Sequence, residues 1–495
     1  MPKLTGLMFN QDCTDFFYRN TIREGVDGGA LLDEYVDLLA EAGVTALLCN
    51  TNARKTNYGS DVWETFWDGY DPDGSDDQPF LKPIPSAELP DWRRMVHSMY
   101  ALHAQGVDYP ARMAERCRLR GMSPWISLRM NDVHINDNLA HPFHGPMWRD
   151  ERYFRGGDMA YYARGLDYGH PEVREMYRKL IVETLQRYDI DGLELDFMRE
   201  PYLFRQGAEQ EGAEILREWL RGVRRLVYDA SVRRGHPIAL GVRVPSRIEV
   251  ARSWGLDAVR WAHEGLVDVV VATPRWATLE YDMPLDEWAQ ALAGTDVTLA
   301  GGLEILHRPT PGSPPVTATT EQATGAATAV LTPGADVVYL FNYFATAGWP
   351  KEEYIRTLRA MSALSELVRL PRRHAITWRD IIGVGEAYTP PLPASGPDVE
   401  LALPTGPTPG PDAIVTLEIT LMRPQDAPYV PPEATLNGVV CALKQEDWKG
   451  QSGLLVYEVP PSALPGNRRD IIRLSTPGGQ PFMVSALEVR IVPLD

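Results

Sequence analysis

Residues 190–200, which read IDGLELDFMRE, decide the fold class of this chain. Side chains alternate along an extended strand, so the leucines and the phenylalanine share one face, while Glu194 and Asp196 share the opposite face. In a closed parallel barrel the apolar face of a strand meets the outer helices. The pattern therefore predicts a barrel strand whose two carboxylates point inward, near the C-terminal end where barrel enzymes carry their active sites.

Strand and helix patterns alternate on both sides of this stretch. Pro171, a residue suited to the first turn of a helix, opens the preceding helix, and apolar residues follow helical spacing up to Tyr188. Eight strand–helix pairs predict an α/β fold, a (β/α)8 TIM barrel, over residues 1–370. The predicted strands span residues 4–10, 44–50, 122–129, 190–197, 237–244, 267–273, 297–303 and 336–343.

The composition changes after residue 370. Proline and glycine become frequent over residues 388–411, short alternating strands follow, and Asn437-Gly438 stands among them. Asn-Gly is a strong signal for a two-residue hairpin turn. Residues 371–495 are therefore predicted to form a small C-terminal all-β sandwich domain.

The charge balance limits the classes of partner. Acidic residues outnumber basic ones by 67 to 49, and the formal net charge is -18. Nucleic acids and anionic membranes bind basic surfaces, so we expect neither as a partner, although a local arginine cluster could still bind an acidic substrate. No metal-ligand spacing appears, so neither a metal nor another cofactor is expected. The sequence does not determine the oligomeric state, and a homo-oligomer is one option.

The cysteines and the first residues bear on location. Cys13, Cys49, Cys117 and Cys441 are far apart in the chain, which favours a reducing compartment. The first residues, MPKLTGLMFNQD, do not contain the long apolar core of a secretory signal. We therefore expect a cytoplasmic protein, although a leader that had already been removed would give the same pattern.

Polar residues crowd the end of the third predicted strand. Arg129, Asn131, Asp132 and His134 follow one another closely there. They could bind sugar hydroxyl groups, or Asp132 and His134 could transfer protons. The alternative is a polar loop that its own aspartate and asparagine side chains hold together.

Glu304 is a carboxylate at the end of the seventh predicted strand. The alternative for Glu304 is an outward, solvated side chain. The alternative for Glu194 and Asp196 is a structural ion pair with an arginine such as Arg129 or Arg243. Further residues at strand ends that we predict to bind substrate are Asn50, Arg199, Arg243, Arg275, Trp276 and Asn342.

Three segments resemble the family-10-like glycosyl hydrolases, a group of barrel enzymes. They are Asp191-Gly192 at the fourth strand, Pro171-Glu172-Val173-Arg174 before it, and Glu264-Gly265-Leu266-Val267-Asp268 before the sixth strand. The resemblance covers residues 1–370 and implies a barrel that hydrolyses glycosidic bonds, while residues 371–495 are similar to the β-sandwiches that follow glycosidase barrels. The fourth strand also looks like the chitinase-type pattern, but Met198 stands where the catalytic glutamate would be, so that mechanism is not implied. Glu200 precedes a proline, as catalytic glutamates do in many barrel glycosidases, and is a weaker candidate than Asp196.

The predicted reaction is hydrolysis of a glycosidic bond by two carboxyl groups. Asp196 would act as nucleophile or base, Glu304 would act as acid, and Glu194 would hold Asp196 in place. Long loops after the second and third strands would narrow the cleft, which favours exo action on an oligosaccharide or a small glycoside.

Two other functions stay open at this point. One is a lyase or isomerase that acts on a sugar acid, with His134 or Tyr343 as its base. Its substrate carboxylate would be held by Arg129, Arg243 and Arg275. The other is a carbohydrate-binding barrel that turns nothing over.

Overall fold

The structure is a computed structural model that describes residues 3–344, 348–422, 430–466 and 469–494. The barrel strands within these residues are β1 (Leu7–Gln11), β2 (Ala46–Asn50), β3 (Ser123–Arg129), β4 (Gly192–Asp196), β5 (Ala239–Pro245), β6 (Val269–Thr273), β7 (Thr298–Glu304) and β8 (Val337–Phe341). They close into a barrel in the order β1-β8-β7-β6-β5-β4-β3-β2. This confirms the predicted (β/α)8 barrel.

Helices separate consecutive barrel strands, as the sequence predicts. None of the helices in the described part of the chain combines the length and the hydropathy that a membrane-spanning helix requires. The described helices are α1 (Asp15–Arg19), α2 (Gly28–Glu41), α3 (Leu89–Ala104), α4 (Tyr109–Leu119), α5 (Pro171–Arg187), α6 (Glu209–Arg234), α7 (Ile248–Ser253), α8 (Ala258–His263), α9 (Leu285–Ala291), α10 (Thr320–Leu331), α11 (Lys351–Ala360) and α12 (Leu364–Leu367).

Parallel register places charged residues of three neighbouring strands in one row. Arg129 on β3 pairs with Asp196 on β4, and Asp196 pairs with Arg243 on β5. At the other end of β4, a Cβ on Gly192 would lie 2.2 Å from the ring of Trp125, so the glycine makes room for this buried indole. An aromatic ring therefore fills the barrel where β4 begins, and charges lie where β4 ends.

The C-terminal strands form an antiparallel sheet. Among the residues that the structure describes, its strands are β9 (Arg372–Ala375), β10 (Ala394–Gly396), β11 (Asp398–Leu403), β12 (Ile414–Met422), β13 (Glu433–Leu436), β14 (Val439–Lys449), β15 (Ser452–Val459), β16 (Asp470–Ser475) and β17 (Phe482–Val492). Their order is β9-β17-β12-β15-β14-β13-β16-β11, and β10 pairs with β17. This confirms the predicted C-terminal all-β domain.

The Asn437-Gly438 turn forms as predicted. Strands β13 and β14 pair with Leu436 opposite Val439, so Asn437 and Gly438 alone join them. Their φ angles are 51° and 80°, and both central residues of a type I′ turn need positive values.

The chain divides into two compact units. One comprises Met1–Leu4, Met8–Ala272 and Gln290–Ala300, and the other comprises Thr5–Leu7, Thr273–Ala289 and Gly301–Asp495. The second unit therefore contains the antiparallel sheet together with β8 and α10. The domain boundary at residue 370 stays a prediction.

Within the second unit, helix α10 packs directly against strand β9. A Cβ on Gly325 would lie 1.8 Å from the carbonyl oxygen of Arg373, so the helix can approach this closely only at a glycine. Arg373 pairs with Glu321 of the helix at 2.7 Å and with Glu418 of β12 at 2.6 Å. Arg490 of β17 also pairs with Glu321, at 2.7 Å. Close packing and charge together join the helix to the sheet.

Candidate active site

An ion pair lies inside the barrel where β4 and β5 end. Arg243 Nη1 is 3.1 Å from Asp196 Oδ2 and 3.3 Å from Asp196 Oδ1, and both side chains are buried. The backbone N–H of Met198 also donates to Asp196 Oδ1, at 2.9 Å, because a 3₁₀ turn begins directly after the strand. A buried carboxylate needs such partners. Asp196 therefore forms the arginine pair that the sequence analysis gave as its structural alternative.

A second carboxylate, Asp12, pairs with two arginines of the same unit. Arg129 forms a buried ion pair with Asp12, and Arg199 Nη2 lies 3.9 Å from Asp12 Oδ2. Burial by itself would raise the pKa of Asp12, but the charges of Arg129 and Arg199 lower the pKa below its ordinary value. From the sequence Asp12 is one of several polar residues at the end of the first strand, a weak signal by itself, and it is not among the residues predicted to act in catalysis or to bind substrate.

The loop after β3 orients a histidine. Asp132 Oδ1 accepts hydrogen bonds from the backbone N–H of His134 at 2.9 Å and from its Nδ1 at 2.8 Å, while Asp132 Oδ2 lies 3.1 Å from Arg129 Nη1. The backbone bond is the aspartate turn that the sequence analysis gave as the alternative. The same aspartate fixes the imidazole, which is 47% exposed. Although burial opposes it, His134 and Arg129 hold the pKa of Asp132 well below its ordinary value.

The next residue in this loop has a strained backbone. Ile135 has a φ of 60°, which a β-branched residue adopts only when its surroundings require it. Its carbonyl oxygen accepts from His144 Nε2 at 3.0 Å, and His144 Nδ1 accepts from Arg54 Nη1 at 2.7 Å. Strain of this kind is common near functional sites.

Two predicted substrate-binding asparagines contact the backbone. The amide of Asn131 donates to the carbonyls of Leu166 at 3.0 Å and Tyr202 at 3.2 Å, and its Oδ1 accepts from Leu166 N at 2.8 Å. Asn50 Nδ2 donates to the carbonyl of Ser127 at 3.2 Å. Both side chains are buried, and these bonds hold neighbouring loops and strands together.

Glu194 lies two residues before Asp196, on the same face of β4, and is buried. Its Oε1 accepts from Asn10 Nδ2 at 2.9 Å and from Ser127 Oγ at 2.7 Å. These contacts join Glu194 to β1 and β3. Its predicted role in holding Asp196 stays a prediction.

In the second unit, Glu304 ends strand β7 and is 1% exposed. This burial rules out the outward, solvated alternative. The backbone N–H of Ile305 donates to Glu304 Oε1 at 2.9 Å, and Asn342 Nδ2 lies 3.3 Å from Oε2. Asn342 follows β8 with a φ of 59°, a left-handed conformation that asparagine tolerates better than most residues. This backbone conformation directs the predicted site residue Asn342 toward Glu304.

A tyrosine beside Glu304 is buried. Its own burial and the charge of Glu304 raise the pKa of Tyr343 above its ordinary value. The hydroxyl therefore keeps its proton over the whole range in which an enzyme works.

The remaining predicted residues of the second unit, Arg275 and Trp276, lie in the loop after β6. Asp380 accepts hydrogen bonds from the backbone N–H groups of Arg275, Trp276 and Ala277. No local sequence signal could have indicated this role of Asp380, because about a hundred residues separate it from the loop.

Comparison with known proteins gives structural similarity only: no family model matches the chain, and no curated protein matches its sequence. One similar solved structure is α-L-fucosidase isoenzyme 2 from Paenibacillus thiaminolyticus, at 12% identity and a TM-score of 0.45, over 74% of this chain and 50% of that one. This chain therefore spans about half the length of that fucosidase.

Two more similar structures also come from proteins that act on carbohydrate. The chitinase ChiW from Paenibacillus sp. str. FPU-7 aligns at 11% identity and a TM-score of 0.41, over 98% of this chain and 54% of that one. The PgaB (BpsB) glycoside hydrolase domain from Bordetella bronchiseptica aligns at 10% identity and a TM-score of 0.39, over 73% of this chain and 99% of that one. All three are glycoside hydrolases by name, and similarity this low does not indicate a substrate.

Proposed function

We propose that this chain is a glycoside hydrolase of the family-10-like type, with carbohydrate as its substrate. One observation carries the proposal. A buried carboxylate, Asp196, lies at the C-terminal end of a barrel strand with an arginine of its own. This end of a TIM barrel is where its enzymes carry catalytic groups.

Asp196 has the role of nucleophile or base in this proposal. Arg243 provides the opposite charge next to Asp196 Oδ2, and the N–H of Met198 binds Oδ1. Both partners hold the two carboxylate oxygens in a fixed orientation. A nucleophile or base in glycoside hydrolysis needs a carboxylate that is held in position when the bond breaks.

Glu304 has the role of acid. It is buried at the end of β7, and an amide of Asn342 and a backbone N–H of Ile305 orient its carboxyl group. A fixed orientation is what proton transfer to a leaving oxygen needs. Whether the products retain or invert the anomeric configuration depends on the carboxyl separation, about 5 Å for retention and roughly 6.5–9.5 Å for inversion.

Exo action is part of the proposal. Residues 51–88 and 130–170 form long loops after β2 and β3, and loops at this end of a barrel shape its cleft. A narrowed cleft admits the end of an oligosaccharide or a small glycoside.

The lyase or isomerase alternative has less support. Arg129 and Arg243, which would hold a substrate carboxylate, pair with Asp12 and Asp196 of the protein itself. Tyr343, one of its candidate bases, has a raised pKa, so its hydroxyl stays protonated at neutral pH and the phenolate that would act as base is not populated.

The test is release of nitrophenol from a panel of nitrophenyl glycosides, both anomers of each sugar. The wild type is compared with Asp196→Asn, Glu304→Gln and the surface control Asp412→Asn, after circular dichroism and thermal unfolding have shown that each variant folds. Losing an essential catalytic group costs about 10³-fold or more in kcat, so we expect that loss in the first two variants and none in the control.

Two further readouts separate the alternatives. Hydrolysis in ¹⁸O-labelled water places solvent oxygen on the anomeric carbon, whereas a lyase or isomerase incorporates none there. Azide added to Asp196→Gly restores turnover as a glycosyl azide if Asp196 is the nucleophile of a retaining enzyme. If the wild type binds a sugar but releases no product from any glycoside, the proposed hydrolase is wrong.

A further inference from the structure

One carboxylate of the C-terminal region, that of Asp380, binds the first part of the loop after β6. Asp380 Oδ2 accepts from the backbone N–H of Trp276 at 2.8 Å and of Ala277 at 2.9 Å, and Asp380 Oδ1 accepts from the backbone N–H of Arg275 at 2.9 Å. Successive backbone N–H groups that converge on an anion form a strong, charge-assisted contact. This part of the loop therefore has a defined conformation without a helix or strand of its own.

Asp380 is itself on an ordered segment. The backbone N–H of Arg379 donates to the hydroxyl of Tyr388 at 3.1 Å, and the Arg379 guanidinium lies 4.3 Å from the centre of the Tyr388 ring. Arg379 also pairs with Glu386, which accepts from the backbone N–H of Gly383 at 3.0 Å. These contacts fix the chain on both sides of Asp380, so its carboxylate is held in place for the loop.

The other side of the same loop is bound to the segment that follows β7. Thr278 Oγ1 accepts from the backbone N–H of Arg308 at 2.8 Å, and the backbone N–H of Leu279 donates to the carbonyl of Leu306 at 2.7 Å. Leu306 lies two residues beyond Glu304, the proposed acid. The loop is thus bound between Asp380 and the chain that continues from Glu304.

The loop after β6 carries one partly exposed tryptophan, Trp276. Its indole is 38% exposed, and the guanidinium of Arg275 lies 5.2 Å from the ring centre. The exposed part of the indole is open to a ligand, because it is not covered by the rest of the loop. An indole face binds the apolar face of a sugar ring well, and it binds better when the indole is already held in position.

We propose that Asp380 is a positioning residue that holds Trp276 as the aromatic platform of a sugar subsite in the unit that carries Glu304. The proposal rests on the proposed function for its substrate class, a carbohydrate ring with an exposed apolar face. Asp380 acts through the backbone of the loop and does not touch the substrate. Removing its carboxylate frees residues 275–277 of the loop and misplaces the indole, while Glu304 stays where it is.

The experiment uses the full chain and the variants Asp380→Ala, Asp380→Asn, Trp276→Ala and Trp276→Phe, with Asp412→Asn as the control on an exposed aspartate of the same unit. Asp380→Asn keeps a carbonyl oxygen that can accept one N–H, and it serves if Asp380→Ala does not fold. Hydrogen–deuterium exchange of the peptide that covers residues 274–280 shows whether Asp380 holds the loop. KM and kcat on the glycoside that the panel identifies report on the platform.

We expect amide exchange at residues 275–277 to accelerate by about tenfold or more in both Asp380 variants, since each amide loses a charge-assisted bond. We expect KM to rise by roughly tenfold in Asp380→Ala and Trp276→Ala with kcat changed by less than about threefold, and Trp276→Phe to recover part of the loss. If amide exchange is unchanged in both Asp380 variants, Asp380 does not hold the loop and the proposal is wrong. Faster exchange with an unchanged KM in all four variants overturns the platform.

A binding measurement separates this inference from the hydrolase proposal. Saturation-transfer NMR with methyl glycosides of hexoses, hexuronic acids and N-acetylhexosamines detects sugar binding without turnover. If no glycoside is cleaved but a methyl glycoside binds to the wild type and not to Trp276→Ala or Asp380→Ala, the hydrolase proposal fails and the platform stands. If no sugar binds the wild type, or if Trp276→Ala binds as the wild type does, the platform is wrong.

Discussion

Arg243 Nη1 lies 3.1 Å from Asp196 Oδ2, and the two side chains are 1% and 0% exposed. Each side chain therefore gives the other the opposite charge that it needs inside the barrel. Strand register produces the pair, because Asp196 on β4 stands opposite Arg243 on β5.

Removing Arg243 leaves a buried carboxylate without its partner. We expect Arg243→Met to lower the free energy of unfolding at pH 7 by about 3–5 kcal/mol, the usual result of breaking a buried ion pair from one side. Adding Asp196→Asn should restore part of this loss, since the uncompensated charge is then gone. Urea unfolding of the two single variants and the double variant measures the coupling, and strictly additive losses would contradict the pairing.

The pKa of Asp12 predicts a dependence of stability on pH. Its folded pKa is lowered by Arg129 and Arg199 against the effect of burial. A lowered folded pKa gives stability that is fully present above the unfolded value, about 3.9, and is lost as the pH falls through the folded value. The difference in unfolding free energy between the wild type and Asp12→Asn should therefore be constant above about pH 5 and shrink below about pH 4.

Chemical denaturation between pH 7 and pH 2.5 measures this difference. Asp296→Asn, at an exposed position, is the control. A difference for Asp12→Asn that grows as the pH falls would contradict the prediction.

His144 should lower the free energy of unfolding as the pH falls. Burial, and after it the charge of Arg54, lower the pKa of His144 to about 3. The unfolded chain takes up a proton on this histidine below about pH 6.5, and the folded chain does not, so stability should rise with pH across this window by up to about 1.4 kcal/mol per unit.

A variant and a spectrum both check this. His144→Gln should lose less stability than the wild type between pH 6 and pH 4. Long-range ¹H–¹⁵N spectra should show a neutral imidazole down to about pH 4. A protonated signal for His144 near pH 6 would disprove the assignment.

Two glycines in helices should respond to the same substitution with opposite sign. Gly325→Ala places a Cβ 1.8 Å from the carbonyl oxygen of Arg373, whereas a Cβ at Gly222 in α6 finds only the Arg225 guanidinium, at 4.0 Å. Alanine is favoured over glycine in a helix by roughly 0.5–1 kcal/mol. Gly222→Ala should therefore raise the free energy of unfolding by about this amount, and Gly325→Ala should lower it by about 2 kcal/mol or more.

Thermal and urea unfolding of the two variants measure the change in the free energy of unfolding. If Gly325→Ala is as stable as Gly222→Ala, helix α10 does not need its close approach to β9.

The fold could be predicted because its signals are local. The alternation of residues 193–197 and the Asn437-Gly438 turn each depend on neighbours in the chain, and both are confirmed. The segment between β5 and β6 shows a limit, because strand–helix alternation predicts one helix there and the structure has two, α7 (Ile248–Ser253) and α8 (Ala258–His263). Short helices bury too few residues for periodicity to separate them.

The sequence could name candidate residues for the site, but it could not predict which of their side chains pair. Alternation alone placed Glu194 and Asp196 on one face, and the sequence offered both Arg129 and Arg243 as partners. The structure assigns Arg243 to Asp196 and joins Arg129 to Asp12 and Asp132. Side-chain pairing across strands depends on strand register and on side-chain rotamers, and a local sequence pattern predicts neither.

The sequence by itself thus determined the strand–helix alternation, the barrel and the turn at Asn437-Gly438, since periodicity and turn chemistry act between residues that are close in the chain. The tertiary structure decided which charges meet. It pairs Asp196 with Arg243 across 47 residues, and it brings the backbone N–H of Trp276 to the carboxylate of Asp380 across 104 residues. Such contacts form only after the chain has closed, because their geometry is set by packing between segments that the sequence does not order relative to one another.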